Sequence, residues 1–221
     1  MPEHRTAEPV PVHRLASARE VLGVVGAAEL AMFSRLSKDA QHAPDLPGRV
    51  TLSRMAAAEL ASLDVVEQLA ERRGLDFFDA VGTYQGLLVD FDRRTAPSDW
   101  WERLVKTYVG YGVVLDLQRE LAGGLDEAAQ EALADAVADN GHGDYVAGVL
   151  GPVLDSEPQL GARLALWGRR VVGEALAVAQ RTLVAHPGLV PAQDAEEGAS
   201  RVVTRLAAAH ADRLSRLGLK P

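Results

Sequence analysis

No cysteine occurs among the 221 residues of the chain. That absence excludes disulfide frameworks, Cys-based zinc sites, iron-sulfur clusters and thiol nucleophiles. Aromatic side chains make up only 5% of the sequence, and the period-two alternation that marks strands is almost missing. Long apolar runs are missing too. The longest stretch without Asp, Glu, Lys or Arg, Thr182 to Gln193, contains Pro187 and Pro191 and is too short to cross a bilayer. The opening Met1-Pro2-Glu3-His4-Arg5 lacks the apolar core of a secretory signal. There is also no phosphate-binding glycine loop, no Gly-x-Ser-x-Gly elbow and no His-Glu-x-x-His. These absences lead us to expect a soluble, cytoplasmic protein with no membrane partner.

What is abundant is Ala, Leu, Val, Glu, Asp and Arg, the profile of an all-α chain. A chain of this length buries about 70% of the surface its unfolded form exposes. The formal charge of −8 is unevenly spread. Residues 199–221 carry Arg201, Arg205, Arg213, Arg216 and Lys220 against Asp212, a net of +4, which leaves −12 for residues 1–198. So acidic a body repels phosphate backbones, and a nucleic-acid partner would need the local basic surface of Arg201, Arg205, Arg213 and Arg216.

The prolines Pro2, Pro9 and Pro11 mark residues 1–13 as a disordered arm. Residues 14–190 read as a helical bundle, and residues 191–221 as a C-terminal helix packed on or beside it. The first helix is expected from about Ser17 to Ala40, with Ser17 and Glu20 at capping-box spacing. A second begins near Thr51 or Ser53 and stops at Gly74. A shorter segment from Asp76 to about Arg94 carries Gly82 and Gly86. The next long helix, Trp100 to Leu121, is introduced by Asp99 and Glu102 at capping-box spacing. Short helices after Asp126 and after Asn140-Gly141-His142-Gly143 lead to the longest pattern, about Glu157 to Ala185. The final helix carries the apolar stripe Val202, Leu206, Ala209 and Leu217. Four helices of about twenty residues or more, joined by shorter ones, describe a four-helix bundle with elaborated crossovers.

Each long helix contains an apolar stretch broken by a single charge, and that charge is always a carboxylate. Glu29 stands alone between Glu20 and Arg35, Glu59 between Arg54 and Asp64, Asp116 between Lys106 and Arg119, and Glu174 between Arg170 and Arg181. At about 100° per residue, Glu29 shares a stripe with Leu22, Val25, Met32, Phe33 and Leu36, and Glu59 with Met55, Leu63 and Val66. Both are expected to face the core. Glu174 lies near Arg170 and Arg181, with which it can pair along the surface, and Asp116 lies near Glu102 and Glu120, which leaves its direction ambiguous; for both, a rim position or an ion pair with an arginine is the alternative to an inward ligand. A buried carboxylate must be paired, protonated or metal-bound. If all four converge, a cation explains them, with His142 as a candidate fifth ligand; a capping or turn role is the plainer reading of His142.

Several segments carry a family resemblance over residues 18–218. They are Gly26-Ala27-Ala28-Glu29-Leu30-Ala31-Met32-Phe33, Met55-Ala56-Ala57-Ala58-Glu59, Thr95-Ala96-Pro97-Ser98-Asp99-Trp100, the stretch Leu164 to Glu174, and the ending His210-x-x-Arg213-x-x-x-Leu217-Gly218-Leu219. Together they resemble the actinobacterial MiaE-like proteins, ferritin-like relatives of a tRNA hydroxylase acting on the prenyl group of a modified adenosine. The resemblance implies a ferritin-like four-helix bundle with additional short helices and a C-terminal amphipathic helix. It further implies a di-iron site that activates dioxygen, with Glu-x-x-His motifs on two helices. Here Ser62 and Ala177 stand at the two histidine positions. Four carboxylates without histidine make a hard oxygen site, suited to manganese, magnesium or calcium more than to a histidine-supported di-iron centre. Two functions remain in view: a metal oxidoreductase acting on tRNA or a small molecule, and a non-catalytic binding module, with a homodimer as one form, holding no metal.

Overall fold

The computed structural model describes residues 12–190, 195–217 and 219. The arm expected over residues 1–13 lies, as far as residue 11, outside the described residues. Helix α1 runs Val12–His42, five residues earlier than its expected start. Ser17 is therefore inside the helix, because Val12 to Ala16 contains neither the glycine nor the proline that would break it. Helix α2, Leu46–Arg72, also begins earlier than expected. Asp45 caps it, accepting from the Gly48 amide at 2.7 Å. Pro47 falls in the first turn, where its missing N–H is no loss.

The segment after Gly74 divides into α3, Phe77–Gly82, and α4, Val89–Arg94, as the glycines at 82 and 86 suggest. Helix α5, Trp100–Lys106, starts on Asp99, whose carboxylate accepts from the Glu102 amide at 2.8 Å. The Glu102 carboxylate reaches back to the backbone and hydroxyl of Ser98. A π-helical turn, Thr107–Tyr111, joins α5 to α6, Gly112–Ala122, in one continuous rod. Helices α7, Glu127–Leu133, and α8, His142–Ser156, cross over to α9, Pro158–Ala185. Helix α10, Ala195–Arg216, follows.

Helices α1 and α2, the α5–α6 rod and α9 form the bundle, and α10 packs on α6 and α9. Its core is built from Leu22, Val25, Val66, Leu104, Val109, Leu121, Leu164 and Val171, all buried. Gly23 is a close-packing position: a Cβ there would lie 2.5 Å from the Ala80 carbonyl oxygen of α3. Among the described residues there is no strand, and no helix is long and apolar enough to cross a membrane.

The core also contains a buried polar layer. Asp39 accepts from Arg103 Nη1 at 2.9 Å and from the Thr107 hydroxyl at 2.5 Å. Nearby, the buried Lys106 ammonium donates to Asp92 at 2.9 Å and lies 5.1 Å from the centre of the Phe91 ring. These contacts fasten α5 and the π-turn to α1 and α4.

Candidate functional site

Glu29 and Glu59 point into the bundle, 1% and 4% exposed, and their carboxyls lie within hydrogen-bonding reach of each other. Burial first, and the neighbouring Glu59 charge second, push the Glu29 carboxyl up to about 9, so it holds its proton at pH 7. Burial raises Glu59 as well, while the bond from Glu29 acts in the opposite direction. Glu29 Oε1 is taken by Gln118 and Glu29 Oε2 has no other partner, which leaves Oε2 to carry the proton that faces Glu59. Gln118 Nε2 on α6 donates to Glu29 Oε1 at 2.6 Å, and Asn140 Nδ2 donates to Glu59 Oε1 at 3.1 Å. The result is a four-member chain through the core, from Asn140 through Glu59 and Glu29 to Gln118. Gln118 Oε1 ends it, buried and without a donor.

The two ends of this chain line different spaces. Glu59 and Asn140 line a polar cleft of about 430 Å³ with Tyr108, Tyr111, Asp116, His142 and Arg213. Gln118 lines an apolar cavity of about 150 Å³ between α1, α4, α6 and α9. His142 opens α8, its backbone amide capped by Asp139 at 2.9 Å. Its ring turns into the cleft, and its Nε2 is buried without a partner. Burial lowers the imidazole below its usual range, so it is neutral at pH 7. The π-turn places both Tyr108 and Tyr111 toward the cleft, where the Tyr111 hydroxyl donates to the Ala31 carbonyl at 3.0 Å.

The other two carboxylates do not join Glu29 and Glu59. Asp116 accepts from Arg213 Nη2 at 2.7 Å and lies 3.5 Å from Arg119 Nη1. Glu174 pairs with Arg94 at 3.4 Å. Each takes the ion-pair alternative open to it, because its line on the helix is the boundary between core and solvent. On α9 the inward positions are Ala175, Val178, Ala179 and Thr182, and Ala177 is only half-buried. The Glu174-x-x-Ala177 register thus misses the core altogether. Ser62 does share the buried face of Glu59, but a serine hydroxyl is a weak metal ligand.

The inward polar residues at 118 and 140 are neutral amides, so a pattern of lone charges does not mark them. Gln118 had a legible signal: Tyr111, Leu115, Leu121 and Ala122 share its stripe, the same test that places Glu29 inward. Asn140 sits in a connection without helical periodicity, so no pattern pointed to it.

The basic surface is largely engaged. Arg201 pairs with Glu197 at 3.1 Å, Arg205 with Glu120 at 2.6 Å and Arg213 with Asp116; Arg216 is exposed on the rim of the cleft. Arg213 packs across Gly112, where a Cβ would collide with its Nε and Cζ. In an ordinary helix Gly→Ala stabilises by about 1 kcal/mol. Here Gly112→Ala is expected to destabilise by about 1–3 kcal/mol through overpacking and to free α10 for proteolysis. Urea unfolding and limited trypsin digestion measure both; a stabilised variant would show that Arg213 does not hold α10.

Two carboxyls on neighbouring helices at the centre of a four-helix bundle define an all-α protein of the ferritin-like class. The chain belongs to the family of ferritin-like domains of actinomycetes, whose model matches residues 15–191. No curated protein matches it. Bundles of this class house two irons on carboxylates from all four helices and two histidines. This core offers two carboxyls and one inward amide, and among the described residues no three of His, Asp and Glu form a metal-holding group. The residues present do not fit a di-iron centre.

Proposed function

We propose that this chain is a ferritin-like binding module, in which a shared proton rather than a metal reconciles the core carboxyls. One observation carries the reading: the inward partner that Glu29 and Glu59 meet is the Gln118 amide, 2.6 Å from Glu29 Oε1, and among the described residues no third carboxylate or histidine joins them. The Gln118 donor by itself favours the ionised form, so it is burial and the facing Glu59 that keep the proton on Glu29. The module's two spaces, the polar cleft at Glu59 and the apolar cavity at Gln118, are its candidate binding sites.

The competing reading is the MiaE-like oxidoreductase, with iron or manganese on Glu29, Glu59, Asp116 and Glu174 and His142 beside them. What favours it is that Glu29 and Glu59 face each other on adjacent helices, as bridging carboxylates would. For tRNA as substrate, the pairing of three α10 arginines with acidic neighbours leaves little unopposed positive charge. The test is metal content by mass spectrometry on full-length protein from cells supplied with iron and manganese, beside Glu29→Ala/Glu59→Ala. The binding-module reading expects well under one equivalent in both proteins. One or two equivalents lost in the double variant would overturn it.

A further inference from the structure

The apolar cavity is built like a small-molecule site. Val24, Ala28, Phe91, Val113, Ala175 and Val178 are among its walls, and Tyr84 to Val89 form its mouth, with Gln85 and Val89 exposed. About 150 Å³ of apolar space matches a molecule the size of benzene. Two of its lining residues carry a buried polar atom without a partner: the Tyr84 hydroxyl at the mouth and, deeper, Gln118, fully buried, whose Nε2 is committed to Glu29 while Oε1 has no donor. With the Glu29 proton directed to Glu59, Glu29 Oε1 can only accept, and the network then assigns Nε2 as the end of the amide that meets it. A buried acceptor left unpaired is costly, and the cavity beside it is the place from which a donor can come.

We propose that this cavity binds a compact, mainly apolar molecule of about seven non-hydrogen atoms bearing one hydroxyl, whose O–H donates to Gln118 Oε1. The apolar body fills the space among the alanine and valine side chains, and the hydroxyl ends the hydrogen-bond chain that begins at Asn140. The molecule must be uncharged, since no cation lines the cavity and its only carboxylate, Asp92, is engaged by Lys106. This inference rests on the binding-module reading and names its ligand class.

Phenol and toluene test it, being alike in shape and differing in the hydroxyl. In a wholly apolar cavity toluene binds more tightly, because phenol gives up hydration without return. In this one phenol is expected to bind wild-type protein about tenfold more tightly than toluene, measured by titration calorimetry and by methyl NMR shifts of the cavity valines. Ala175→Leu fills the cavity and is expected to abolish phenol binding; Gln118→Leu is expected to reverse the preference. Should either variant fail to fold, the order of the two ligands on the wild-type chain decides. Toluene binding more tightly, or neither ligand binding, overturns the proposal. Failure of the underlying reading looks different: metal would be found at Glu29 and Glu59, whatever phenol does.

Discussion

Glu29→Gln is expected to stabilise the protein at pH 8 by about 3 kcal/mol, from the 1.36 kcal/mol that each unit of pKa displacement represents, reduced for coupling to Glu59. In the folded chain Glu29 keeps its proton up to about pH 9, against an ordinary value of 4.5. The stability from the protonated carboxyl is fully present below pH 4.5 and is lost as pH rises through about 9, since only the unfolded chain gains from ionising. Glutamine has the same shape and never ionises. Its amide can donate to Glu59 in place of the shared proton, and its carbonyl can still accept from Gln118. Urea unfolding at pH 5, 7 and 9 should show the stability of Glu29→Gln relative to wild type growing across the series, since groups such as Lys106 that titrate in both proteins cancel in the difference. A variant less stable than wild type at pH 8, or a difference that does not grow with pH, would mean that the core carboxyls are ionised and held by something else, a cation foremost.

Asp39→Ala is expected to be the most damaging change, costing about 3–5 kcal/mol and lowering Tm by roughly 10 °C. Asp39 is 1% exposed and holds both the Arg103 guanidinium and the Thr107 hydroxyl. Without it, a buried guanidinium has no counter-charge. The loss also reaches the candidate site, because Thr107 begins the π-turn that directs Tyr108 and Tyr111 toward the cleft. Replacing the pair together, as Asp39→Leu/Arg103→Met, should recover most of the stability, since the cost lies in stranding one charge. Thermal unfolding of Asp39→Leu, Arg103→Met and the double variant gives the coupling directly; equal losses in the single and double variants would show that packing, not charge, is what Asp39 contributes.

The two halves of the candidate site were unequally legible. Glu29 and Glu59 could be placed inward because the other charges near them on α1 and α2 fall well away from their stripes, so the helical period alone decides their direction. Asp116 and Gln118 differ by two residues, or about 200° around α6, and only one of them can face inward. Formal charge singles out Asp116, but the core took Gln118. Arg213, 97 residues further along, holds Asp116 at the rim across the bare backbone of Gly112. Glu174 shows the same effect, its partner Arg94 lying 80 residues away.

From the sequence by itself follow the all-α class, the four long helices, the cap at Asp99, and the inward direction of Glu29 and Glu59. Each of these depends on residues within a turn or two of one another, where period and capping chemistry act. Only the tertiary structure decided which carboxylates meet and that an amide completes the pair. It also decided that arginines from other helices hold the remaining two acids and that an apolar cavity opens beside the buried oxygen of Gln118. Those outcomes depend on which helices become neighbours, and a helical period specifies a face without specifying what lies across from it.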